Sequence, residues 1–309
     1  MTDEPRRPGL VVPPLTPFGA DLEVDYDALA RGVDYVIDDC DAAMVVAAGV
    51  EAQEYQYLDL PQRRTLIART VEFVDGRRPV VVGVSHPSFK ISAQLAQLAE
   101  ELGAAAIQLL APTRPIGGVP TLTELERYVD LVARETSLPV MLYLNPGPGA
   151  TVSPEETVAL AAHDAVQYLK ESSRDLARVA RLIDEIDRAG LAQYFTTVQM
   201  MLISLQLGGS GVTLPPPAAR IARRVLEAFL VGDLDEATRL QQQFSAYPAR
   251  WMRDGLTSVM KASLDILGMP AGDPYPPYGP VTGRARDELK AYLATTDLMT
   301  LDPPNREEN

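Results

Sequence analysis

Eight short aliphatic or β-branched runs recur along the chain, at Gly9–Pro13, Ala43–Ala48, Pro79–Val84, Ala105–Leu110, Pro139–Tyr143, Val166–Lys170, Gln193–Thr197 and Gly211–Leu214. They are largely apolar throughout rather than at alternate positions, which is the pattern of strands buried on both faces. Three of them share a local form. Asp41-Ala-Ala-Met-Val-Val, Gly103-Ala-Ala-Ala-Ile-Gln-Leu-Leu and Gly208-Gly-Ser-Gly-Val-Thr-Leu each place small residues at a helix end just before a strand. The intervening segments have helical periodicity: Ile91, Leu95, Leu98 and Leu102 share one face, with Gln94, Gln97, Glu100 and Glu101 largely away from it. Ser153-Pro154-Glu155-Glu156 is an N-cap, a first-turn proline and two acids, and Thr123 to Glu126 has the spacing of a capping box.

Eight strand–helix units predict a (β/α)8 TIM barrel over residues 9–217 rather than an open doubly wound sheet, which normally has fewer units and a glycine-rich first turn. Residues 218–298 are helical in pattern, with a proline-rich break at 270–280, and predict C-terminal helices packed on the barrel. The ends, 1–8 and 299–309, are polar and proline-containing and read as flexible tails.

Composition narrows the chemistry. With 28 Lys+Arg against 42 Asp+Glu the chain carries −14 charges, a poor surface for nucleic acid or anionic membranes. No apolar run is long enough to span a bilayer and no signal segment precedes the first strand, so a cytoplasmic location is expected. One cysteine, Cys40, and two histidines leave almost nothing for a zinc, copper or iron site. His86 reads as a hydrogen-bonded loop residue and Trp251 as a packing anchor.

In a barrel, chemistry sits at the C-terminal ends of strands. Two residues stand out there: Tyr143 at the end of the fifth run and Lys170 at the end of the sixth. Desolvation disfavours a charged ammonium, so a buried lysine supplies a neutral amine for carbonyl addition and imine formation, and a neighbouring tyrosine shuttles the protons. A lysine snorkelling to the rim and a tyrosine capping the core fit the same pattern.

With these residues in view, the chain resembles the dihydrodipicolinate synthase and N-acetylneuraminate lyase superfamily of class I aldolases. The resemblance runs from Leu15-Thr-Pro-Phe18 to Val259-Met-Lys-Ala-Ser-Leu-Asp-Ile-Leu-Gly268. Its most specific part is Lys170-Glu-Ser-Ser173 with Asp175, which is similar to the Schiff-base lysine signature. Tyr143-Leu-Asn-Pro146 is similar to the segment carrying the proton-relay tyrosine, and Gly208–Leu214 to the eighth-strand glycine motif, with Thr213 at a position that lines the keto-acid pocket. The resemblance implies lyase, aldolase or dehydratase chemistry on a pyruvate-like 2-oxo acid. It also implies that no diffusible cofactor is needed, and a homo-oligomer, dimer or tetramer.

Four departures modify that expectation. The loop after the second strand, which in the family holds the substrate carboxylate, reads Ala48-Gly-Val-Glu-Ala-Gln-Glu-Tyr55, with Glu51 and Ala52 where threonines are usual. Backbone amides of Gly49, Val50, Glu51 and Ala52 remain candidates for that carboxylate, and Glu51 is a candidate general base, although an exposed loop acid is the commoner case. The tyrosine stretch after the fourth strand is replaced by Pro112-Thr-Arg-Pro. Pro148 stands where the synthases place a substrate-binding arginine, and Thr196-Thr-Val-Gln-Met replaces a glycine–aspartate pair. These losses point away from dihydrodipicolinate synthase itself and toward another keto-acid lyase, with Arg114 as a substitute carboxylate clamp and Gln199 as a pocket residue. The competing reading is a catalytically reduced barrel that binds a keto acid or a partner protein as a sensor or scaffold.

Overall fold

A computed structural model describes residues 9–52 and 54–300 of the 309-residue chain. Eight parallel strands follow one another around a closed barrel: β1 (Gly9–Val12), β2 (Met44–Ala47), β3 (Val80–Gly83), β4 (Ala106–Leu110), β5 (Val140–Leu144), β6 (Val166–Glu171), β7 (Gln193–Thr196) and β8 (Gly211–Thr213). Every strand boundary agrees with the expected run to within one residue. The barrel closes where β8 pairs with β1, Gly9 opposite Gly211 and Val11 opposite Thr213.

The continuous apolar runs are explained by two cores. Val11, Val46, Val81, Ala106, Met141 and Phe195 point into the barrel and fill its interior, with Met44 and Tyr168 packed against them. Their sequence neighbours, such as Leu10, Val12, Val45, Val82 and Leu169, point outward and lie under the helices. Two glycines are demanded by close approach. A Cβ on Gly83 would lie 2.1 Å from the carbonyl oxygen of Ala48, and one on Gly211, where φ is 144°, would lie 2.0 Å from that of Gly9.

The outer ring comprises α1 (Tyr26–Asp34), α2 (Leu60–Val74), α3 (Phe89–Glu101), α4 (Leu122–Ala133), α5 (Pro154–Ala161), α6 (Leu176–Leu182), α7 (Met201–Gln206) and α8 (Pro216–Leu230). Ser153 and Glu156 form the expected capping box on α5. On α4 the box is Thr121 with Glu124, not Thr123 with Glu126: α4 starts at Leu122, so Thr123 is already inside the helix. The division expected at residue 217 falls inside α8, the eighth barrel helix.

Beyond it, α9 (Leu234–Gln242), α10 (Leu256–Ile266) and α11 (Gly283–Leu293) form the C-terminal helices. Trp251 anchors them as expected, buried with its ring 5.0 Å from that of Tyr292 and beside Tyr247. Of the tails expected at 1–8 and 299–309, residues 1–8 and 301–309 lie outside the described residues, whereas Met299 belongs to a short 3₁₀ turn, Asp297–Met299, seated by buried Leu298. No helix of the described residues is long and apolar enough to cross a membrane.

Candidate active site

Alternation along β6 sends Tyr168 and Lys170 into the barrel and Leu169 and Glu171 outward. Glu171 fixes the strand end: it accepts from Arg178 Nε at 3.0 Å, from Tyr194 Oη at 3.0 Å and from the Ser173 amide at 3.0 Å. Lys170 is thereby held at the C-terminal mouth, and its side chain is buried (3% exposed).

In the β5–β6 register Tyr143 lies directly opposite Lys170. Lys170 Nζ donates to Tyr143 Oη at 3.1 Å and to Ser172 Oγ at 2.7 Å, and lies 4.4 Å from the centre of the Tyr143 ring. Asn145 Nδ2 donates to the same phenol oxygen at 3.1 Å. With two donors on Oη, the phenol's own hydrogen is left to point at a third partner, as a proton relay requires. Among the described residues no carboxylate lies within ion-pair distance of Lys170.

The loop after β2 begins with Ala48 in a left-handed conformation, φ 51°, which turns the chain over the barrel mouth. The Val50 amide donates to Gln108 Oε1 at 2.9 Å and the Ala52 amide to Gly49 O at 3.2 Å. Two of the amides expected to hold a substrate carboxylate are therefore already engaged. The side chain of Val50 packs with Leu110 and Tyr143, which seats this loop against the phenol beside Lys170.

Glu51 is not the exposed loop acid that its polar surroundings in sequence suggest. It is 7% exposed, its Oε2 accepts from Gln108 Nε2 at 3.4 Å, and its Oε1 has no hydrogen-bond partner among the described residues. Burial pushes its carboxyl above the usual range, partly offset by the positive charge of Lys170. Thr213 is also buried at the end of β8, next in register to Val11 of the barrel interior, with its hydroxyl unpartnered among the described residues.

Two expected pocket residues have their contacts elsewhere. Arg114 is exposed, and its guanidinium fork is closed on Glu124, 2.6 Å to Oε1, with a further bond to Gly117 O at 3.0 Å. The fork finds its carboxylate in the first turn of α4, and among the described residues no hydrogen bond joins Arg114 to Lys170. Gln199 Nε2 donates to the Tyr247 carbonyl and its Oε1 accepts from Arg174 Nε, which ties the turn after β7 to the C-terminal segment.

Gln108, Asn145 and Ser172 are the site residues that sequence reasoning passed over. Gln108 had a signal, since it is the one amide in an otherwise apolar strand and is fully buried. Next to this site, beyond Leu110, lies a cavity of about 320 Å³ lined by Tyr55, Arg63, Ser85, His86 and Tyr128. Arg63 holds its rim by donating to Gly83 O and Ser85 O, and His86 is, as expected, a loop residue that accepts from the Ser88 amide.

Residues 7–296 match the model of the Dihydrodipicolinate synthetase family. The chain belongs to that family. It is 30% identical to a 4-hydroxy-tetrahydrodipicolinate synthase of Streptomyces coelicolor, over 93% of this chain and 92% of that protein. Among solved structures it resembles the dihydrodipicolinate synthase of Agrobacterium tumefaciens, with a TM-score of 0.81 and 25% identity over 94% of this chain and 98% of that one. A prophage protein of the same family from E. coli K12, solved in complex with pyruvate, superposes with a TM-score of 0.85 over 94% of this chain and 99% of that one, at 22% identity. Within this dihydrodipicolinate synthetase family the chain is an enzyme, a lyase of the class I aldolase type on a (β/α)8 barrel.

Proposed function

We propose that the protein is a carbon–carbon or carbon–oxygen lyase that binds a pyruvate-like 2-oxo acid as an imine on Lys170. The observation that carries this reading is the buried contact of 3.1 Å between Lys170 Nζ and Tyr143 Oη at the barrel mouth. The Lys170 amine, having released a proton, attacks the keto carbon, and the resulting carbinolamine loses its hydroxyl as water once Tyr143 has delivered a proton to it. The protonated imine then acts as an electron sink in one of two ways: the bond between the next two carbons breaks as the hydroxyl on the farther one loses its proton, so that an aldehyde leaves and the enamine left behind is protonated on carbon, or the nearer carbon loses a proton and the hydroxyl on the farther one leaves as water after taking up a proton. Ser172 and Asn145 keep amine and phenol in place during these transfers, and Thr213 lines the pocket.

The reaction differs from that of 4-hydroxy-tetrahydrodipicolinate synthase in its second substrate. Pro148 stands where that synthase needs an arginine, and Arg114 is committed to Glu124. A cytoplasmic homo-oligomer that takes a small 2-oxo acid, and neither nucleic acid nor membrane, belongs to the same reading.

Borohydride reduction in the presence of pyruvate and a panel of longer 2-oxo acids, read by intact mass, tests it. A reduced adduct in the wild-type protein and none in Lys170→Ala is the expected result. No adduct with any acid overturns the proposal and favours a barrel that binds its ligand without covalent chemistry.

A further inference from the structure

We infer that Glu51, in its protonated form, is the hydrogen-bond donor that receives the carboxylate of the bound keto acid, in place of the amides of Val50 and Ala52. The inference deepens the imine reading above and rests on it. A carboxylate approaching the loop finds the amides of Val50 and Ala52 engaged by Gln108 and by Gly49. What the loop presents instead is Oε1 of Glu51, a buried oxygen with no partner among the described residues. An orphaned polar atom in a dry site marks a place where a ligand completes the hydrogen bonding.

Two carboxylates in contact in such a site share one proton, because both charges together are strongly disfavoured. The groups facing Glu51 decide which of them holds it. Lys170 reaches it electrostatically from β6, Gln108 on β4 is uncharged, and Tyr55 on the short helix after the loop is a neutral phenol. In the free enzyme Glu51 and Lys170 form no ion pair, and the lysine acts on the carboxyl only through space. In the imine the positive charge remains on the same nitrogen, and the substrate's own carboxylate now lies beside it as counter-charge. Glu51 becomes the surplus anion, and burial already favours its neutral form.

The balance is explicit. An ammonium and a ketone become a protonated imine and water with no net change in protons, and Glu51 takes up one proton from solvent. Binding of a 2-oxo acid is therefore linked to uptake of one proton, whereas binding of the same ketone without its carboxylate is not.

The test compares reductive trapping of pyruvate and pyruvamide on the wild-type protein from about pH 5 to about pH 8, across the carboxylate and imidazole ranges. Whatever the two ligands share in forming the imine cancels in their ratio. The expected result is that half-saturation for pyruvate, relative to pyruvamide, rises by about tenfold per pH unit once Glu51 is ionised in the free enzyme. In Glu51→Gln, a permanent neutral donor, the ratio is flat and pyruvate is trapped well at the alkaline end. A ratio independent of pH in the wild-type protein overturns the inference whether or not the variant folds, as does an equal slope in Glu51→Gln. Trapping of pyruvamide but never of pyruvate overturns it while leaving the imine intact. Absence of any adduct from either ligand removes the imine reading and the inference together.

Discussion

Glu54 and Lys261 form a buried ion pair, Nζ to Oε2 at 2.8 Å with both side chains 2% exposed, that joins the loop after β2 to helix α10. The pair is embedded in further bonds. Lys261 Nζ also donates to Asp273 O at 2.9 Å, and Glu54 Oε1 accepts from the Tyr275 amide at 2.9 Å. The C-terminal helices are thereby tied to the loop that carries Glu51 and Val50.

Removing one member strands the other charge away from water. Lys261→Met is expected to cost about 3–5 kcal/mol in urea unfolding, whereas the double variant Glu54→Gln/Lys261→Met costs less than the single one because no charge is left unpaired. Equal losses in single and double variants would show that the pairing itself matters little.

Tyr143→Phe keeps the ring under Lys170 and deletes the relay oxygen. Turnover should fall by about 10²- to 10⁴-fold while the borohydride adduct still forms, with slower onset. Unchanged turnover in a steady-state assay with the acid best trapped by the wild-type protein would assign the proton transfers to another group.

Gln108→Leu matches the apolar character of β4 but leaves the buried Val50 amide without its acceptor. A loss of about 1–3 kcal/mol is expected in equilibrium unfolding, despite the gain in hydrophobicity. A stabilised variant would mean that the amide finds another acceptor.

The burial of Glu51 has a signature in stability against pH. Its carboxyl is held above its unfolded value, chiefly by desolvation, so between the two values the folded protein binds the extra proton. The contribution of this group to stability is full below the unfolded value and is lost as pH rises through the folded one. Glu51→Gln does not ionise, so its melting temperature should match that of the wild-type protein near about pH 4 and exceed it near about pH 8. A variant that melts lower than wild type at both ends would contradict this sign.

Much of the scaffold was legible in the chain. Strands buried on both faces are written as short runs of Val, Ile, Leu and Ala, so Val80–Gly83 and Ala106–Leu110 are recoverable without knowing their neighbours. Lys170 and Tyr143 were legible for a related reason, since a polar group closing an apolar strand is costly unless it is used. Helix starts were read less well where two threonines compete: Thr121 and Thr123 offer similar spacings to an acid, and only the path of the preceding chain selects Thr121.

By itself the sequence determined the barrel, the order of its units and the placing of a lysine and a tyrosine at the ends of successive strands, because these follow from local periodicity and from the position of each residue in its run. The tertiary structure alone decided the roles of the charged and amide side chains. Arg114 and Gln199 have partners distant enough in the chain, Glu124 and Tyr247, that no local pattern predicts the engagement. Glu51 lies in a polar stretch yet is buried, because Gln108, fifty-seven positions away, meets it inside the barrel. Long side chains settle where long-range packing leaves them a partner, and that packing exists only once the barrel has closed.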